Sequence, residues 1–163
     1  MKFLSCIKDG TSTFGAVVGD GFVDLGARHP EVADLRQAIR DNRLEELATK
    51  ASTEEADCSL ADIRYLPVLP NPEKIICIGV NYVNRNEEYK DGMAPPKYPS
   101  VFMRTRESLV GHEQPLIDPP ESEQLDYEGE IVIVVGKEGR RIPEENAHEH
   151  VAGGQSIGDP DRH

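Results

Sequence analysis

The chain has 163 residues, enough for one domain or for a small domain plus part of another. Thirty Asp and Glu against eighteen Lys and Arg give a formal net charge of −12, which excludes nucleic acid and anionic membranes as favoured partners by simple repulsion. A hydrophobic fraction of 37%, without tryptophan, falls into strand-like and helix-like runs. No run approaches the roughly 18 apolar residues of a membrane span, and the amino terminus lacks a long apolar signal segment, so a soluble, cytoplasmic chain is expected. Cys6, Cys58 and Cys77 are an odd number at long spacings, which suits reduced structural thiols better than disulfides or a zinc site.

In chain order, Lys2 to Ile7, Gly15 to Val18 and Phe22 to Leu25 read as short strands of a small antiparallel sheet. Asp20-Gly21 is expected to supply a hairpin turn. From Pro30 to Lys50 the pattern becomes helical, with Val32, Leu35 and Ile39, then Leu44 and Leu47 after an Asp41-Asn42 break; two short amphipathic helices are expected. Three prolines between Pro67 and Pro72 make a stiff extended connector. The domain boundary is placed there, giving residues 1–66 and 67–163.

Beyond it, Lys74 to Gly79 is a continuous apolar run of the kind found in strands buried on both faces. Asn81 to Gly92 reads as a polar helix or ordered turn, Val101 to Met103 and Pro115 to Ile117 as strands, and Ile142 to Val151 as a short helix with acidic residues in its first turn. Between them, Asp126-Tyr127-Glu128-Gly129-Glu130 runs into the apolar strand Ile131 to Val135. In a strand Glu128 and Glu130 share a face about 7 Å apart. Two carboxylates so placed suit either a solvated strand entry, the commoner case, or a hard divalent cation that compensates their repulsion.

Lys74 to Tyr82, Pro99 to Phe102 and Leu125 to Gly136, in that order and spacing, resemble the fumarylacetoacetate hydrolase superfamily. The segment Asn84-Arg85-Asn86-Glu87-Glu88-Tyr89-Lys90-Asp91 is similar to its 2-hydroxyhepta-2,4-diene-1,7-dioate isomerase and 5-carboxymethyl-2-oxo-hex-3-ene-1,7-dioate decarboxylase branches. The resemblance implies an α+β fold: a small N-terminal α/β domain followed by the front part of a mixed β-sandwich roll. It also implies a homodimer if that fold is complete, and cleavage or rearrangement of a carbon-carbon bond in diketo or oxo-enol acids, in aromatic-compound catabolism. The cofactor would be Mg2+, Mn2+ or Ca2+ held by three carboxylates, and the partner a small-molecule oxo-acid substrate, with no nucleic acid and no membrane.

Glu128 and Glu130 would be two of the ligands. Val151-Ala152-Gly153 followed by Asp159, 31 residues after Glu128, makes Asp159 the third by resemblance. The family often places a His and, three residues on, a Glu over the metal; here Arg85 and Glu88 stand there. Arg85 is always protonated and suits carboxylate binding, which leaves Glu88 as the base candidate. Arg104, Arg106 and Tyr82 are the substrate-binding candidates. His112 is weighed as a substitute for the missing histidine against a structural or exposed role, and His148 with His150 as a metal pair against surface roles. The tail drifts from the family pattern at Gly154 and Gly158, and relatives run roughly a hundred residues further, so a truncated chain is expected. The rival reading is a catalytically inactive member that retains at most metal binding.

Overall fold

The computed structural model describes residues 1–81, 97–121 and 126–161, the side chains at 126–127 and 156–161 excepted. The expected helix over Asn81 to Gly92 lies almost wholly outside the described residues. The fold is α+β, in two compact units: Met1–Leu69 with Val110–His163, and Pro70–Leu109.

In the first unit, β1 (Lys2–Lys8), β2 (Thr11–Val18) and β3 (Gly21–Asp24) form a meander, extended by β4 (Cys58–Ser59) and β5 (Arg64–Tyr65) into a five-stranded antiparallel sheet of order β4-β3-β2-β1-β5. Lys8 pairs with Thr11, so Asp9-Gly10 is a two-residue loop; both residues take positive φ, 49° and 79°, as a type I′ hairpin requires. The expected turn at Asp20-Gly21 is corrected by one residue. Val18 pairs with Gly21, and Gly19, at φ 59°, opens the loop because the first position of this turn needs the left-handed backbone that glycine adopts freely.

Period-two alternation gives the sheet two buried faces. Phe14, Ala16 and Val23 face the helices α1 (Leu25–Arg28), α2 (Leu35–Arg40) and α3 (Leu44–Ala51), packing with Leu25, Val32, Leu35, Ala38, Leu47 and Ala51. Leu4, Cys6, Phe22 and Ile63 form a smaller cluster on the other face. Cys6 is fully buried and burial pushes its thiol up to about 12, which suits the inert structural role expected of it. Asp24, also buried, is satisfied on several sides. It caps α1 by accepting from the Ala27 N–H (3.0 Å), accepts from the Thr13 hydroxyl (2.6 Å) and donates its own N–H to Asp57 (2.7 Å).

Also in this unit, β8 (Asp126–Val135) pairs with β9 (Val151–Asp161). Their connection holds the expected short helix, a 3-10 helix over Glu144–His150 with Glu144 and Glu145 in its first turn; Val151, expected to end that helix, instead begins β9, and Gly153 lies inside that strand. Pro115 to Ile117 forms no strand, and Leu116 and Ile117 are exposed, so the short apolar run does not mark a buried element.

In the second unit, β6 (Ile75–Gly79) pairs antiparallel with β7 (Ser100–Arg104). The expectation of a doubly buried β6 is corrected. Ile76 and Ile78 are 56% and 46% exposed, because β6 and β7 form a two-stranded ribbon with one open face. Among the described residues no helix is long and apolar enough to cross a membrane.

Candidate metal centre

Alternate residues of β8 divide between two faces. Ile131, Ile133 and Val135 occupy one and are 78%, 62% and 68% exposed; Glu128, Glu130, Val132 and Val134 occupy the other, where all but the exposed Glu130 are half-buried. The acidic pair therefore continues the more protected face of the strand.

The ladder brings a third acidic residue to that face. Glu128 stands opposite Asp159, Glu130 opposite Ile157, Val132 opposite Gln155 and Val134 opposite Gly153. Directly opposed residues of an antiparallel pair share a face, with Cβ atoms about 4.5–5.5 Å apart. Positions 128, 130 and 159 thus cluster at one end of one face. A set of three carboxylates is the hard oxygen donor set that Mg2+, Mn2+ and Ca2+ prefer, so the residues fit such an ion. Among the described residues no group of three His, Cys, Asp or Glu stands ready to hold a metal; the side chain at 159 is outside that set.

What fixes this register lies at the opposite end of the ladder. The pairing shifts between Val134 and Val135, leaving Ala152 as an extra residue in β9. The N–H groups of Gly136 and Lys137 both donate to the His150 carbonyl (2.9 and 3.4 Å). A Cβ on Gly136 would lie 2.6 Å from that of Ala152 and 3.2 Å from Ile39 Cγ2, so glycine is required at the closing turn. A slip of one residue would carry position 159 to the other face.

The other expected site residues are less gathered. Tyr82, Arg85 and Glu88 lie outside the described residues. In the second unit Arg104 ends β7 opposite Ile75, half-buried, with its guanidinium 5.6 Å from the centre of the Phe102 ring. Arg106 is exposed and pairs with Glu107 at 2.8 Å. His112 is exposed and packs edge-on against Tyr65, ring centres 5.2 Å apart, while the position of a Cβ on Gly111 falls 2.2 Å from the Tyr65 carbonyl oxygen. That contact docks a loop and argues for the structural role of His112. His150 Nδ1 lies 2.9 Å from the Lys137 carbonyl oxygen, so it holds the turn, and His148 is exposed beside it. Gln155, on the acidic face, was not singled out from the sequence. Reading the glycine-rich tail as a strand would have placed it there by alternation.

The fumarylacetoacetate (FAA) hydrolase C-terminal family matches residues 74–156, a span that holds Glu128 and Glu130 and stops short of Asp159. The mitochondrial oxaloacetate tautomerase fahd2 of Xenopus laevis is 35% identical over 138 residues, which cover 83% of this chain and 43% of that protein. The fumarylacetoacetate hydrolase of the psychrophile Exiguobacterium antarcticum superimposes with a TM-score of 0.70 at 29% identity, covering 98% of this chain and 56% of its own. Maleylpyruvate hydrolase from Sphingobium sp. SYK-6, in complex with manganese(II) and pyruvate, does so with a TM-score of 0.72 at 23% identity, covering 96% and 58%, and at that identity it speaks to the fold alone. The chain spans less than half the length of the curated relative.

Proposed function

The chain belongs to the fumarylacetoacetate hydrolase family, and from that premise we propose that it promotes enolisation of a small 2-oxo acid at a divalent metal held by Glu128, Glu130 and Asp159. The observation that carries the proposal is the ladder register that sets position 159 against Glu128 and on the face of Glu130. A bound Mg2+ or Mn2+ would supply Lewis-acid polarisation of the oxo group. The three carboxylates hold and orient; none of them needs to move a proton. That role falls to Glu88, with Arg85, Arg104 and Arg106 as carboxylate-binding residues and Tyr82 as a further substrate contact, all on the strength of the family resemblance.

Proton removal beside an oxo group is common to tautomerisation and to the carbon-carbon bond chemistry expected from the sequence. A relative named as an oxaloacetate tautomerase and a neighbour named as a hydrolase both support that shared step. A homodimer, the division at residue 66 and a cytoplasmic location stay with the proposal as expectations.

The test is exchange of the C3 protons of oxaloacetate or pyruvate in D2O with MgCl2, followed by proton NMR. Exchange faster than the metal-only control, lost in Glu128→Gln with Glu130→Gln, supports the proposal. Metal binding without exchange favours the rival reading of an inactive member.

A further inference from the structure

The face that carries the carboxylates does not end with them. Two positions along the ladder from the Glu130–Ile157 pair, Gln155 stands opposite Val132 and is half-buried on the same face. It is therefore the diagonal neighbour of Glu130, at a separation of roughly 7–8 Å that a long side chain spans. Val132 and Val134, the next residues of β8 on that face, have no polar atoms, and the position opposite Val134 is Gly153. Among the described residues Gln155 is thus the polar side chain next to the acidic cluster, and no hydrogen bond to another described residue occupies its amide. Glu130 is the more exposed of the two described carboxylates, and so the one that a neighbouring donor would do most to orient.

We propose that Gln155 is a positioning residue: when an ion is bound, its side-chain N–H donates to the outer carboxylate oxygen of Glu130 and fixes the rotamer in which Glu130 holds the ion. This rests on the metal-site reading above. The chemistry suits the task, since a neutral amide gives a donor without adding a competing charge to three carboxylates. Hydrogen bonds to a metal-bound carboxylate orient it, and their removal typically lowers metal affinity about 10–100-fold.

The experiment is Mn2+ titration by calorimetry on the full 163-residue chain and four variants, with melting of the metal-free proteins as the check on folding. Gln155→Met keeps the length and removes the donor; it is expected to weaken binding about 10–100-fold while leaving the metal-free melting temperature unchanged. In a Glu130→Ala background the same substitution is expected to change nothing further, which a general structural role would not reproduce. Gln155→Glu replaces the donor with a like charge and is expected to weaken binding as well. Equal affinity of Gln155→Met and the parent, or tighter binding by Gln155→Glu, would overturn the proposal. If the parent chain itself does not bind Mn2+, the metal-site reading has failed and this inference with it.

Discussion

Glu128 of β8 and Asp159 of β9 are direct cross-strand partners, although 31 residues separate them in sequence. Like charges placed directly opposite each other cost a ladder roughly 0.2–1 kcal/mol. The metal-free protein is therefore expected to gain a few tenths of a kcal/mol from Asp159→Asn, while losing the stabilisation by Mn2+. Denaturant melts with and without metal check both halves. A ligand at about 100 times its Kd should stabilise the parent by about 2.7 kcal/mol.

The two faces of β8 predict a contrast with the core. Phe14 is 1% exposed and lies inside the main cluster, so Phe14→Ala is expected to cost about 3–5 kcal/mol. Ile133 is 62% exposed, and Ile133→Ser should change stability by no more than about 0.5 kcal/mol. Chemical denaturation of the two variants beside the parent measures the difference.

The N-terminal unit should lose stability in acid for identifiable reasons. Burial pushes the Asp57 carboxyl up, but the Asp24 N–H and the Arg28 guanidinium outweigh it and hold Asp57 below its usual value. Glu46, bonded to Arg43 and Lys50, is held down to about 2. Both pKa values are depressed on folding, so the stabilisation is complete above the ordinary carboxylate range near 4 and is lost as pH falls toward 2. Asp57→Asn and Glu46→Gln are each expected to flatten the dependence of unfolding free energy on pH between about 5 and 2, and urea melts across that range measure it.

How much of this was legible in the sequence differed by segment, for physical reasons. The first three strands and the helices after Pro30 were legible because Ala16, Val23, Leu35 and Leu47 keep their periods all the way to the core, although β2 begins at Thr11, four residues before the expected Gly15. Of the Asp-Gly dipeptides at 9–10 and 20–21, only the first fills its hairpin loop. The second gives way to Gly19-Asp20, since Phe22 and Val23 must keep their assigned faces. β9 was hidden because Gly153, Gly154 and Gly158 have little strand preference of their own, and its order comes from pairing with β8. Glu128 and Glu130 were visible as a pair from alternation alone. The opposition of Glu128 and Asp159 is a non-local register, which no local pattern encodes and only the family spacing suggested. Similarly, a run such as Ile75 to Ile78 reports apolarity but not what covers it, so burial on both faces was inferred where one face is open.

The most direct measurement of the central claim is Mn2+ titration of the 163-residue chain beside its Glu128→Ala with Glu130→Ala variant. Binding at millimolar affinity or tighter, abolished in the variant while the metal-free fold persists, is the predicted result. No binding by the parent, or equal binding by both proteins, would contradict a metal centre on this face of β8 and β9.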